Sequence, residues 1–215
     1  MRKFGRKTLL TFAALIVHGA SVAQAQDYPT KPVRIVVPYP AGGFNDTLGR
    51  LAAKHLADYW KKPVIVDNKP GAGTMIGTKE VAMSAPDGHT LLVAQFPYAA
   101  NPWLYKSIGY DTEKAFAPVM LAGRSPMLLL THAESLYRSA ADVVAAAKAR
   151  PNTLNYGSSG PGSSNHLAMA LFETASSTRM RQIPYKGSTP MLTDLAGGQF
   201  DVAMDLTCPL SAVPA

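Results

Sequence analysis

The sequence has a single cysteine, Cys208. No internal disulfide can form, so the chain is not a small domain stapled by bridges. With no histidine near it, Cys208 reads as a small packing residue rather than a nucleophile. Acids are missing before Asp27. No apolar run reaches the roughly 20 residues that a transmembrane helix needs. No set of His, Cys and carboxylates has metal-ligand spacing, and no basic stripe interleaved with aromatics offers a grip on nucleic acid. Neither an internal repeat nor a low-complexity tract is present. Further gaps weaken the catalytic readings of the glycines. GSSGPG at 157–162 has the glycine spacing of a phosphate-binding loop, but Ser163 stands where that loop needs lysine. The same stretch has Pro161 where the hydrolase motif G-x-S-x-G needs its last glycine. GAGTMIG at 71–77 places its third glycine one residue late for a dinucleotide fingerprint and follows Pro70, which makes it a helix-opening turn.

What remains is globular: 47% apolar and 16% charged residues are enough for a sizeable core. Of the net charge of +7, four units belong to Arg2, Lys3, Arg6 and Lys7, leaving +3 on the rest. Those cations precede an apolar run at 9–17 and then Ala23-Gln24-Ala25, the order of a secretory signal. Residues 1–25 are therefore expected to be a cleavable signal peptide, with Gln26 the first mature residue. An amphipathic N-terminal helix is the competing reading. No cysteine follows the cleavage point to take a lipid, so the exported product is expected to be soluble.

Hydrophobic period then predicts strands at 33–37, 63–67, 90–94, 127–131 and 153–156, alternating with helices at 47–60, 75–84, 140–149 and 166–174. Such alternation predicts an α/β fold on mainly parallel sheets. Residues 116–126 are a plausible crossing between two lobes.

One unit occurs twice. RIVVPYPAGGFNDTLGRLAAKHL and LNYGSSGPGSSNHLAMALF each run strand, small-residue loop, helix. The loops lie beyond the carboxyl ends of strands, where open α/β sheets bind ligands. Helix N-termini there favour an anion. Gly42, Gly43, Gly160 and Gly162 allow close backbone approach, while Asn45, Ser158, Ser159, Ser163 and Ser164 supply amide and hydroxyl groups. The plainer reading is that Asn45, Asp46, Ser164 and Asn165 merely cap the two helices, at about 1 kcal/mol each. Neither loop contains arginine. His166, at the start of a helix, reads as packed or capping.

The segments VPYPAGGFND, VDNKPGAGTMIGTKEVAMSAPDGHTLL, NYGSSGPGSSNHLAMALF and IPYKGSTPMLTDLAGGQFDVAMD, in that order, resemble the Bug-type extracytoplasmic receptors of tripartite tricarboxylate transporters. The resemblance implies a type II-like periplasmic binding protein with two α/β lobes around a ligand cleft, 26–121 and 122–215. It implies a monomer, not an enzyme, that captures a small carboxylate without cofactor or metal and passes it to membrane permease subunits. Matched positions are Gly42, Gly43, Asn45 and Asp46 in the first loop, with Phe44-Asn45 replacing the family's small residue and threonine. In the second loop they are Ser158, Ser159, Gly160, Gly162, Ser164 and His166; Tyr185, Lys186, Gly187 and Asp205 complete the wall. After Asp205 the family continues, whereas LTCPLSAVPA ends this sequence, so a C-terminally incomplete receptor is expected. Two alternatives stand beside it: a secreted hydrolase using a serine of the Gly/Ser loop, and a truncated fragment without function.

Overall fold

The computed structural model describes residues 27–206. The chain divides into two units, Met1–Thr30 and Lys31–Ala215. Of the first, only residues 27–30 are described; the strands and helices all belong to the second. The expected signal peptide, the cleavage point at Gln26 and Cys208 lie outside the described residues.

The first strand, β1 (Val33–Val37), is the β-branched run VRIVV and is almost wholly buried. It lies between β2 (Val64–Asn68) and β3 (Thr90–Leu92), and both pairings are parallel. Helix α1 (Phe44–Trp60) covers one face, where Ala52, Ala53 and Leu56 pack with Ile35 and Val37. It sits close because Gly49 has no side chain: a Cβ there would lie 2.8 Å from Val37 Cγ2. Two further helices follow, α2 (Met75–Ala82) and α3 (Phe96–Leu104). No helix or strand occupies residues 105–126.

The second sheet has the order β4 (Met127–Leu130), β7 (Val202–Leu206), β5 (Asn155–Ser158), β6 (Arg181–Pro184). It is mainly parallel, as expected, with one antiparallel edge where β4 pairs with β7. Helices cover both faces. From α4 (Ala140–Ala149) and α5 (Ser164–Ser176), Val143, Ala147 and Met169 pack with Tyr156 and Val202. From α6 (Ser188–Ala196), Met191 and Leu195 pack with Phe200 and Ala203. Tyr156 and Gly157, like Val202 and Ala203, are strand neighbours serving opposite faces, as the period of two requires. Each fully buried Met or Val contributes about 1.5–3 kcal/mol.

Four elements escape the periodic reading. Helix α3 carries Pro97 in its first turn and Pro102 inside, β6 ends on Pro184, and α6 has Pro190 in its first turn, where the missing N–H is unused. Strand β7 hides its apolar run behind Asp205. The expected start of α1 at residue 47 also moves, to Phe44.

The turn into α5 depends on histidine chemistry. Ser163 is the N-cap, its hydroxyl accepting the His166 N–H, and His166 Nδ1 accepts the Gly162 N–H at 3.2 Å. An accepting Nδ1 must be unprotonated. Burial holds the His166 pKa below 6.5, with Glu173 pulling weakly the other way.

Two outcomes are expected. A Cβ at Gly157 would lie 2.4 Å from Phe200 Cζ and 2.8 Å from Met191 Cγ. Gly157→Ala should therefore lower stability by about 1–3 kcal/mol through overpacking, read as a lower urea midpoint. For His166, the unfolded chain takes up the proton first as pH falls, so its contribution is complete above about 6.5 and lost below. Between pH 7.5 and 5.5 the urea midpoint should drop further in the parent than in His166→Asn.

Candidate functional site

From Val37 the chain turns back into α1 through residues 38–43, with Gly42 in the left-handed region at φ +88°. Asp46, in the first turn of α1, fixes this turn. Its Oδ2 accepts the Gly42 N–H and the Arg50 Nε–H, each at 2.9 Å. Its Oδ1 accepts Asn68 Nδ2–H at 2.9 Å, and Asn68 also donates to the Tyr39 carbonyl, so the end of β2 braces the same turn. Burial alone would raise the Asp46 pKa, but donation from Arg50, Gly42 and Asn68 outweighs it and holds the carboxyl below its ordinary value. Asp46 is buried and spent on structure. The N-cap is Gly43, not Asn45 or Asp46 as expected, and it contributes no side-chain hydrogen bond. The first N–H groups of α1 thus have neither an intrahelical nor a capping partner.

The Gly/Ser loop after β5 is different: it bonds mostly to itself. Asn165 Oδ1 accepts from Ser159 N, Ser163 Oγ and His166 N, while its Nδ2 donates to Ser159 Oγ. Ser158 is fully buried; its hydroxyl takes Gln182 Nε2–H at 2.7 Å and the Gly160 N–H at 3.2 Å. The cap is Ser163, so Ser164 and Asn165 occupy the first two helical positions instead of capping. Asn165, which in sequence reads only as a cap, is the residue that organises this loop.

These loops meet at a cleft of about 760 Å³, within the usual range for a small-ligand site. Of the expected positions, Gly42, Gly43, Phe44 and Asn45 line it from one side, and Ser159, Gly160, Ser163, Ser164 and Asp205 from the other. Asp46, Ser158, Gly162 and Tyr185 do not. Asp46 and Ser158 stand behind the walls as described. Gly162 lies against Leu104 and Tyr105. The Tyr185 hydroxyl donates to Asp194 at 2.9 Å and its ring packs on Phe200.

Two further walls complete the cleft, one running on from the expected Lys186 and Gly187 to Ser188 and Thr189, the other not expected. At the start of α6, Gly187 is the N-cap with φ +130° and no side-chain cap, and Ser188 and Thr189 line the cleft. A Cβ on Gly187 would lie 2.7 Å from Pro40, so the two glycine-capped helix starts sit side by side. Helix opening at Gly-Ser-Thr-Pro is the signal for it in the sequence. The other wall is the turn before α2, where Gly71, Ala72, Gly73 and Thr74 all have positive φ, between 47° and 125°. Such a run in Ala72 and Thr74 is strained and needs support. Fully buried Asn101 supplies it by donating to the Gly73 carbonyl at 2.9 Å. The expected helix-opening turn is thus also cleft lining. Gln95 spans the cleft, its Oε1 accepting from Asn45 Nδ2 and Ser164 Oγ, each at 3.2 Å.

Among the described lining residues, only Lys186 and Asp205 carry charge. Asp205 is 7% exposed, and its Oδ2 has no hydrogen-bond partner among the described residues. Burial raises its pKa; the Ser188 hydroxyl pulls the other way without closing a bond on Oδ2, as does the Leu206 N–H on Oδ1. No three-residue His, Cys or carboxylate cluster fit for a metal occurs among the described residues. Nor is any described helix long and apolar enough to cross a membrane.

Known proteins share this architecture. The profile of the tripartite tricarboxylate transporter family receptors matches residues 48–214. Protein BugT of Bordetella pertussis is 36% identical over 195 residues, covering 88% of this chain and 60% of BugT. Among solved structures, one from R. palustris with adipate gives a TM-score of 0.79 at 37% identity, covering 83% of this chain and 60% of that one. The periplasmic binding protein BugD gives 0.75 at 31% identity, with coverages of 83% and 60%. MatC from Rhodopseudomonas palustris with bound malate gives 0.74 at 29%, with coverages of 83% and 61%. The chain spans about three-fifths of the length of these relatives. Sequence profile and fold agree, and the chain belongs to the family of tripartite tricarboxylate transporter receptors.

Proposed function

We propose that this chain binds a small organic acid in the cleft, as the solute receptor of a tripartite tricarboxylate-type transporter, and delivers it to membrane permease subunits. In this reading it works in the periplasm as a monomer after export through residues 1–25, and the two sheets are the cores of lobes divided near residue 122. The observation that carries the reading is the pair of neighbouring helix N-termini, α1 and α6, both capped by glycine without a side-chain acceptor and both opening on one cleft. Their free N–H groups and dipoles favour an anion, each by up to about 2 kcal/mol in a partly buried site. Solved relatives with adipate and with malate support the ligand class.

The hydrolase alternative has no support from the loop. Ser163 Oγ has both the Gly160 carbonyl and Asn165 Oδ1 at 2.6 Å, so its one proton is committed within the loop, while His166 Nδ1 is taken by a backbone amide. A serine nucleophile of the Ser-His-Asp kind needs an imidazole on its hydroxyl.

Gly43 offers a clean test. A Cβ there meets nothing within 4 Å, and its φ of −86° suits any residue, so Gly43→Leu fills the cleft without straining the turn. By titration calorimetry, the parent should bind adipate or malate and not a neutral sugar. Gly43→Leu should weaken binding by tenfold or more with an unchanged urea midpoint, whereas Lys186→Ala should have a smaller, salt-sensitive effect. Binding of the sugar alone, or unchanged affinity in Gly43→Leu, would refute the site.

A further inference from the structure

We infer that Gln95 reads the ligand: its side-chain N–H groups donate to an oxygen of the bound acid, while its own oxygen holds the amide in place between the two sides of the cleft. The inference rests on the carboxylate reading proposed above.

Gln95 lies just beyond the carboxyl end of β3, as the N-cap of α3, and lines the cleft. Its side chain does not cap that helix. Instead Oε1 accepts Asn45 Nδ2–H from α1 and the Ser164 hydroxyl from α5, each at 3.2 Å, and both of those residues line the cleft too. Turning the amide over would set Nε2 against the Asn45 Nδ2 donor, so these contacts fix which end is committed. Nε2, on the same carbon, donates to no described residue. Unlike Asp205 Oδ2 and Asn101 Oδ1, which are sealed from solvent, it keeps accessible surface.

An amide held this way is prepared for an acceptor. Its N–H groups suit a carboxylate oxygen, and hydrogen bonds to charged groups are stronger than neutral ones. Because the amide oxygen is already tied from two sides, less side-chain freedom is lost when a ligand arrives. Other polar side chains near the cleft are spent: Asn165 uses both ends of its amide within its own loop, and Asp46 is committed to the turn behind α1. Lys186 lines the cleft but is exposed, so salt screens it more than it screens the part-buried Gln95.

The test is calorimetry on the full chain with adipate and with malate, in the parent, Gln95→Met, Gln95→Glu and Ser164→Ala. Methionine keeps the length of the side chain and removes its N–H groups. Glutamate keeps an oxygen for Asn45 and Ser164 but loses the N–H groups, and Ser164→Ala removes the bond across the cleft while keeping them. For whichever acid the parent binds, Gln95→Met should weaken binding by about tenfold or more with an unchanged urea midpoint. Ser164→Ala should weaken it by less than about threefold. Gln95→Glu should lose more than Gln95→Met at pH 7.5 and recover, relative to the parent, by pH 5.5 as its carboxyl regains a proton to donate. Lost packing would not produce that recovery, and if Gln95→Met fails to fold, the recovery decides. Unchanged affinity in Gln95→Met, a loss in Ser164→Ala as large as in Gln95→Met, or no recovery in Gln95→Glu overturns this inference alone. Failure of the parent to bind either acid overturns the carboxylate reading and this inference with it.

Discussion

The cleft depends first on one buried carboxylate. Asp46 ties the Gly42 amide, the Arg50 guanidinium and the Asn68 amide to a single point. Through them it fixes the exit of β1, the first turn of α1 and the end of β2 together. Charge-assisted bonds of this kind are roughly twice as strong as neutral ones. With the Gly42 N–H turned inward to Asp46, the chain reaches Gly43 extended, and helix α1 begins with no side chain over its N-terminus. The uncapped helix start is therefore a consequence of a filled position just behind it. On the other wall Asn165 does the same work with a neutral amide, holding Ser159, Ser163 and His166 around itself.

The walls differ in what they have left to offer. Around the Gly/Ser loop, amides and hydroxyls are largely consumed within the loop, so it contributes shape and a few hydroxyls. At α1 and α6 the N-caps are glycines and the first-turn N–H groups remain available. An anion bound there, as proposed, would be held by preorganised dipoles rather than by an arginine, none of which lines the cleft among the described residues. Backbone groups carry no rotamer entropy to lose on binding, unlike a long cationic side chain.

Much of the α/β framework was legible in the sequence because β-branched runs such as VRIVV and the apolar stripe of α1 declare their periods locally. Segments punctuated by proline were not: FPYAANPWL forms a helix through Pro97 and Pro102, and STPMLTDLA forms one with proline in its first turn. The site was legible in part. GSSGPGSS drew attention because it is rich in glycine and serine, yet the partners of those groups lie within the loop or on Gln182, and sequence does not show whether a hydroxyl is spent. The left-handed turn at residues 71–74 depends on Asn101, 27 residues further on, a pairing that no local pattern encodes. Asp205 entered only through the family resemblance; its bare oxygen is a fact of three-dimensional packing.

Among the described residues, few polar contacts join the two sides across the cleft, and those named are long: Gln95 to Ser164 at 3.2 Å, Tyr105 to the Pro161 carbonyl at 3.4 Å, Thr189 to the Ala41 carbonyl at 3.5 Å. Each is neutral and contributes at most about 0.5–1.5 kcal/mol. A ligand touching both sides would therefore add a bridge comparable with the whole native set. Were the proposed carboxylate to rest on these backbone N–H groups, which substitution does not remove, affinity for it would be built into the turns, and choice among carboxylates would fall to the side chains around them. Phe44 lines the cleft at the start of α1, and Lys186 is the one cation among the described lining residues.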